Sequence, residues 1–119
     1  MIFVVKERAQ LPEIGAAVEM RLKEWGVSDE RAFDSKLVAT ELMSNAFKHT
    51  QGEMTLKIAL TSDGVEITAQ YTEPFIPPKQ TAKADVYAEG GRGLFLVDKL
   101  SDKRTCTPDG AIQIIIKTE

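Results

Sequence analysis

The stretch LVATELMSNAFKHT, Leu37–Thr50, forms the second half of a long predicted helix and is the most informative part of the sequence. Apolar residues recur at helical spacing from about Asp29 to His49, and Ser28 is placed to cap the first turn. The apolar arc is broad, which predicts contact with both a sheet and a neighbouring helix. It consists of Ala32, Phe33, Ala39, Leu42, Met43, Ala46 and Phe47.

The opposite strip of this helix carries two polar residues that chemistry can use. Glu41 and Asn45 are four residues apart, so they lie one above the other on the helix surface. A carboxylate can accept a proton from an attacking hydroxyl, and an amide oxygen can ligate Mg²⁺. The alternative is that both are simply solvated, as Glu and Asn mostly are. Lys48 and His49 close the strip, where cations also favour a helix C-terminus for structural reasons.

Two further elements are predicted before this helix. Ile2–Val5 is typical of a short buried strand, because it is a continuous apolar run. Apolar residues between Leu11 and Trp25 repeat at spacings of three and four, which predicts an amphipathic helix.

Hairpins are predicted after the long helix. Residues 54–61 and 65–71 alternate between apolar and polar positions around a Ser-Asp-Gly turn. A second hairpin is predicted around Pro108-Asp109-Gly110. The element order predicts one α+β domain over residues 1–119. We expect a two-layer α/β sandwich, with helices on one face of a mixed, mostly antiparallel sheet.

Between the hairpins lies the second candidate site. Glu73–Glu89 has little periodicity, and loops of this length in compact domains are usually functional or disordered. It is followed by Gly90-Gly91-Arg92-Gly93 and an apolar helical segment. Glycines at a helix N-terminus let phosphate oxygens approach backbone N–H groups, and Arg92 adds a planar donor. The alternative is a flexible connector, since short glycine motifs often arise by chance.

Composition excludes several functional classes. One cysteine and one histidine in 119 residues cannot supply a disulfide framework or a cysteine-rich zinc site. The formal charge of -3 gives no reason to expect nucleic-acid binding. The apolar run at the N-terminus is too short for a signal peptide or a membrane span. We therefore expect a soluble cytoplasmic protein with no membrane partner.

Taken together, Leu37–Thr50 and the later stretch EGGRGLFLVDKLSD, Glu89–Asp102, closely resemble motifs of the GHKL ATPase superfamily. Within it, the chain is most similar to the anti-sigma-factor serine/threonine protein kinases of bacteria. The Glu-x-x-x-Asn pattern resembles their N box, and the Gly-Gly-Arg-Gly pattern resembles their second glycine box. The resemblance implies a Bergerat-type, histidine-kinase-like ATPase fold over essentially the whole chain.

The resemblance also implies roles for individual residues. Glu41 would be the catalytic base that activates a serine hydroxyl, and Asn45 would ligate the Mg²⁺ of Mg-ATP. Glu73–Glu89 would form a lid over ATP. The implied nucleotide-binding residues are Asn45, Lys48, His49, Gln70, Gly91, Arg92, Gly93 and Leu94. Relatives bind a sigma factor and a small anti-anti-sigma protein, phosphorylate the latter, and often form homodimers.

The sequence departs from the family pattern where adenine would be recognised. Aligned on the Pro-Phe at 74–75, Gln70 stands where relatives carry an Asp that accepts the adenine amino group. Thr72 and Pro74 replace two glycines, and Ala111 replaces a supporting threonine. A neutral acceptor contributes about 1 kcal/mol, against ~1.5–3 kcal/mol for a charged one. The motif at the phosphate end, in contrast, is intact.

Two functional hypotheses follow. The first is an anti-sigma-factor-like regulator that is a Mg-ATP-dependent protein-serine kinase. The second is a binding module of the same fold that has lost catalysis and sequesters a sigma factor or another regulator without ATP. A sensor histidine kinase fragment is the weaker third reading, because we expect no helical segment carrying a phospho-accepting histidine.

Overall fold

The computed structural model describes residues 1–50, 52–72, 91–107 and 110–118, with backbone only for His49 and residues 91–95. Within these ranges, five strands form one sheet in the order β1-β2-β3-β5-β4, and each of their pairings is antiparallel. The strands are β1 (Ile2–Val5), β2 (Met54–Thr61), β3 (Gly64–Tyr71), β4 (Lys103–Cys106) and β5 (Ala111–Ile116). The predicted α+β class is confirmed, and the sheet, predicted to be mixed and mostly antiparallel, is antiparallel at each described pairing.

In the described part of the chain, three α-helices form the second layer: α1 (Leu11–Glu24), α2 (Asp29–His49) and α3 (Gly91–Leu100). Helix α2 is central, because both other helices pack against it and it packs on β2 and β3. It begins where the sequence predicts, since the Ser28 hydroxyl accepts a 3.2 Å hydrogen bond from the Arg31 backbone. Among the described helices, none is both long and apolar enough to cross a membrane.

The core lies between α2 and one face of the sheet. Register aligns the buried positions of neighbouring strands, so Leu56 pairs with Ala69, which in turn pairs with Ile112. The remaining buried apolar side chains of this sheet face include Val5, Met54, Ile58, Val65, Ile67, Tyr71, Ile114 and Ile116. A two-residue alternation of this kind leaves the other sheet face free of the helices.

Two expectations about burial were wrong. Strand β1 is not buried throughout: Ile2 and Val4 are 66% and 53% exposed, while Val5 is fully buried. The strand lies at the sheet edge, and alternate side chains point away from the helical layer. Phe33, placed in the apolar arc of α2, is 48% exposed, so the described residues do not bury this part of the arc. The Lys36 ammonium instead lies 6.0 Å from the centre of its ring.

The loop and ATP lid predicted at Glu73–Glu89, together with Gly90 and with Pro108 and Asp109 of the second predicted turn, lie outside the described residues.

Candidate functional site

Helix α2 places Glu41 and Asn45 one turn apart, as the spacing predicts, but in very different surroundings. Glu41 is half-buried, whereas Asn45 is completely buried. The alternative that both side chains are simply exposed to solvent is therefore wrong for Asn45. Burying an amide without a hydrogen bond costs about 1–3 kcal/mol, so a buried Asn needs either a partner or a function.

Asn45 has no such partner among the described residues. Neither its side-chain nitrogen nor its side-chain oxygen makes a hydrogen bond. Ser35 is the other fully buried polar residue of the described core, and its hydroxyl donates a 2.8 Å hydrogen bond to the Arg31 carbonyl. The buried hydroxyl of Ser35 is thus satisfied within α2, whereas the buried amide of Asn45 has no partner among the described residues.

Tyr71, the last residue of β3, borders Asn45 from the sheet side. It is 4% exposed, and its hydroxyl donates a 2.7 Å hydrogen bond to the Leu42 carbonyl in α2. Burial raises the pKa of the Tyr71 phenol, and the Asn45 amide beside it acts in the opposite direction. The amide is thus close enough to influence the phenol, yet the contact lies outside hydrogen-bond geometry. The two groups are therefore neighbours without a formed hydrogen bond.

Gln70 lies on the opposite face of β3 from Tyr71. The register pairs Gln70 with Thr55 on one side and with Ala111 on the other. The two positions that the resemblance assigns to base recognition are therefore neighbours. Side chains alternate along a strand, so Tyr71, and not Gln70, shares the face that packs against α2. The role of Gln70 in nucleotide binding stays a prediction.

The phosphate-binding candidates lie in the first turn of α3. This helix begins at Gly91, so Gly91, Arg92, Gly93 and Leu94 all have helical backbone there. The first N–H groups of a helix lack intrahelical acceptors, and the positive end of the dipole favours anions. Since α3 packs against α2, the elements that carry the two sequence motifs are in contact.

The far end of α3 is fixed to the sheet by an ion pair. Asp98 Oδ1 lies 2.8 Å from Arg104 Nε on β4, and the Arg104 side chain is only 8% exposed. The Ile115 carbonyl also accepts a 2.8 Å hydrogen bond from the Asp102 backbone, just after the helix. These contacts set the position of α3 and, through it, the position of its first turn.

The oxygen donors of α2 suit a magnesium ion that is shared with a ligand. The Glu41 carboxylate makes no hydrogen bond or ion pair with any described residue, and the Asn45 oxygen is likewise unpaired. Mg²⁺ in nucleotide sites takes one or two protein oxygens and completes its shell with phosphates and water. Within the described ranges, no cluster of three or more His, Cys, Asp or Glu could hold a metal by itself.

The other predicted residues fall at the end of α2. Lys48 is exposed, and His49 is the last residue of the helix. Sequence reasoning missed Tyr71, although the signal was present. Val65, Ile67, Ala69 and Tyr71 are in phase along β3, and that phase predicts the side of the sheet on which Tyr71 lies.

Comparison with known proteins agrees with this architecture. A family model described as "Histidine kinase-like ATPase domain" matches residues 4–117. A chain in the crystal structure of the SiaB-SiaC complex from Pseudomonas aeruginosa superposes with a TM-score of 0.62 at 18% sequence identity. The match covers 96% of this chain and 86% of that chain. The search of curated proteins found no match.

Proposed function

Because this chain belongs to the histidine kinase-like ATPase domain family, we propose that it is an anti-sigma-factor-type regulator with a nucleotide site. The finer proposal is a Mg-ATP-dependent protein-serine kinase that acts on an anti-anti-sigma partner in the cytoplasm. The observation that carries it is the unpartnered pair on α2. A half-buried carboxylate lies one turn before a fully buried amide, and no described residue binds either.

The different surroundings of these two residues support a separate role for each. Asn45 would hold the magnesium ion, which when bound neutralises charge on the phosphates. Glu41 would accept the proton of the partner's serine hydroxyl as that oxygen attacks the γ-phosphorus of ATP. A new serine–phosphorus bond forms, the bond from the γ-phosphorus to the bridging oxygen breaks, and ADP leaves. The N–H groups at the start of α3 would hold the phosphates.

A protein partner is supported by the kind of structure that this chain resembles. The similar chain was solved in a complex of two proteins, SiaB and SiaC. By analogy, we propose that this chain binds a sigma factor, an anti-anti-sigma protein or both. The formal charge of -3 argues against direct nucleic-acid binding.

A homodimer is also proposed, with β1 as the edge strand that would pair. One of its carbonyls is already occupied, because the Gln10 side chain donates a 3.2 Å hydrogen bond to the Val4 oxygen. Light scattering over a concentration series tests the proposal, and a monomer throughout the series would overturn it.

Nucleotide binding is tested by thermal unfolding of the purified chain with Mg-ADP, Mg-ATP or neither. A ligand present at a hundred times its Kd adds about 2.7 kcal/mol of stability, which raises Tm by several degrees in a domain of this size. We expect this shift in the wild type and in Glu41→Gln. Asn45→Ala should reduce the shift that depends on Mg²⁺. No shift with either nucleotide at millimolar concentration contradicts the proposed site.

Catalysis is tested separately by phosphate transfer to a co-purified serine-containing partner. Glu41→Gln should lose transfer and retain nucleotide binding, since only the proton acceptor is removed. Equal transfer by Glu41→Gln and wild type would rule out the proposed base. Glu19→Gln is a matched control, because Glu19 lies on α1 and its carboxylate pairs with Lys23 and Lys36.

The second candidate is a binding module of this fold that works without ATP. It is favoured by the end of β3, where a neutral tyrosine faces α2 and the predicted adenine acceptor lies on the other face. It predicts a partner complex whose Kd is unchanged by Mg-ATP. The first candidate predicts that nucleotide alters this affinity, so one titration with and without Mg-ATP separates the two.

A further inference from the structure

Tyr71 is tied to the turn of α2 that carries both candidate polar residues. Its hydroxyl donates a hydrogen bond to the Leu42 carbonyl, with 2.7 Å between the two oxygens, and the phenol is almost completely buried. Leu42 follows Glu41 directly and precedes Asn45 by three residues. The phenol oxygen is therefore held in a fixed place beside the buried amide.

The chemistry of a phenol limits what it can do for that amide. A neutral tyrosine has one hydrogen to donate, and Tyr71 donates it to Leu42. The oxygen can then only accept, so it can bind the amide nitrogen of Asn45 but not the amide oxygen. The last side-chain torsion of Asn45 is broad, so rotation about it can bring the amide nitrogen onto the phenol oxygen.

We propose that Tyr71 is a positioning residue for Asn45. By accepting from the amide nitrogen, it fixes which way the amide faces and turns the side-chain oxygen away from the phenol, toward the magnesium ion of a bound nucleotide. That the ligand is a magnesium nucleotide rests on the proposed function. The orientation of the amide is a property of the protein alone and is tested without any ligand.

Because side chains alternate along a strand, Tyr71 is the residue at the end of β3 that can orient the Asn45 amide. Asn45 lies on the helical side of the sheet, and Tyr71 is the last buried position on that side. Gln70 pairs with Thr55 and Ala111 on the other face. Thr68 shares that other face, pairs with Lys57 and Gln113, and provides a control substitution on the same strand.

The first experiment measures the Asn45 side-chain amide protons by NMR in the free protein, with Asn45→Asp used for assignment. We expect Tyr71→Phe to move the bonded proton upfield and to speed its exchange with water, while Thr68→Val does neither. An Asn45 signal that responds no more to Tyr71→Phe than to Thr68→Val overturns the inference. This measurement stands even if the chain binds no nucleotide.

The second experiment measures the Kd of ADP with Mg²⁺ and with EDTA, at a temperature where every variant is folded. The ratio of the two constants reports the magnesium contact and cancels general effects of the mutation on stability. We expect Tyr71→Phe to reduce this ratio about five- to ten-fold, which is the usual effect of one hydrogen bond. Asn45→Ala should reduce this ratio as much or more. The double variant should reduce it no further than Asn45→Ala alone.

The outcomes separate the two ideas. Suppose that wild-type protein binds ADP more tightly with Mg²⁺ than with EDTA, and that Tyr71→Phe leaves the ratio of the two Kd values unchanged. This result overturns the positioning role and leaves the proposed function standing. Loss of the ratio in Gln70→Ala, with Tyr71→Phe unaffected, also overturns it. Wild-type protein without any nucleotide binding overturns the proposed function, and the NMR measurement then decides the orientation of the amide.

Discussion

The hydroxyl of Tyr71 donates a 2.7 Å hydrogen bond to the carbonyl oxygen of Leu42, a residue 29 positions earlier in the chain. The bond joins the end of β3 to the middle of α2, and it is buried. It links the sheet to the helical turn that carries Glu41 and Asn45. The geometry of that turn therefore depends on a residue outside both sequence motifs.

Replacing Tyr71 by Phe should lower the free energy of unfolding by about 1 kcal/mol at neutral pH, because one buried hydrogen bond is lost. The difference in unfolding free energy between wild type and Tyr71→Phe should become smaller at alkaline pH. Burial raises the folded-state pKa of this phenol above the unfolded value of about 10. The wild type therefore keeps the full contribution below about pH 10 and loses it as pH rises, since only the unfolded state ionises.

Urea unfolding of wild type and Tyr71→Phe between pH 7 and pH 11 checks this prediction. At one pH unit above the unfolded pKa, ionisation of the unfolded state has lowered the stability of the wild type by about 1.4 kcal/mol. This roughly cancels the hydrogen bond, so the two proteins should be nearly equal in stability at about pH 11. A constant difference across the whole range would show that the phenol ionises equally in both states.

Replacing Asn45 by Leu should stabilise the free protein while it removes the magnesium-dependent part of nucleotide binding. The side chains are similar in size, and the buried amide has no hydrogen bond among the described residues. The substitution also removes the proposed contact of the amide nitrogen with Tyr71, so relief of the unpaired amide oxygen leaves a net gain of about 1 kcal/mol. Chemical denaturation measures the gain.

Ser35→Ala is the matched control for that substitution, because Ser35 is equally buried on α2 and its hydroxyl is bonded to Arg31. It should not stabilise the protein comparably. A loss of stability in Asn45→Leu would mean that the site is shaped for an amide even without a ligand.

Replacing Asp98 by Ala should destabilise the protein by about 2 kcal/mol, because it leaves the largely buried Arg104 guanidinium without its partner carboxylate. Since this pair fixes the end of α3, hydrogen exchange along that helix should also become faster. Glu24→Ala breaks the exposed 3.9 Å pair with Arg21 and should change stability by less than about 0.5 kcal/mol. Equal effects of the two substitutions would count against an anchoring role for Asp98.

Replacing Gly64 by Ala should lower the free energy of unfolding by roughly 2–4 kcal/mol, measured by thermal or urea unfolding. Gly64 has a φ of +128°, and a Cβ there would run into the backbone carbonyl of Ile116 on β5. Gly26→Ala, with a φ of +91° and open space around the added carbon, should cost only the ~1 kcal/mol of backbone strain. If both variants lose the same amount, the close approach of β3 and β5 is not what requires glycine.

Much of the fold follows from local pattern. The predicted bounds of α2, Asp29 and His49, agree with the structure, because its cap and its periodicity are encoded within a few residues of each other. The hairpin of β2 and β3 follows in the same way from alternation around a Ser-Asp-Gly turn. The exposure of Phe33 and of Ile2 could not be predicted, since periodicity shows which residues share a face and does not show whether another element covers it.

The sequence by itself determined the elements, the fold family and the two candidate residues of α2. Only the tertiary structure decided that Asn45 is buried without a partner among the described residues, that Glu41 is half-buried, and that Tyr71 borders Asn45 from the sheet side. The physical reason is that strand register sets which side chain at the end of β3 faces α2. Register depends on pairing with distant strands, and a shift of one residue exchanges the two faces.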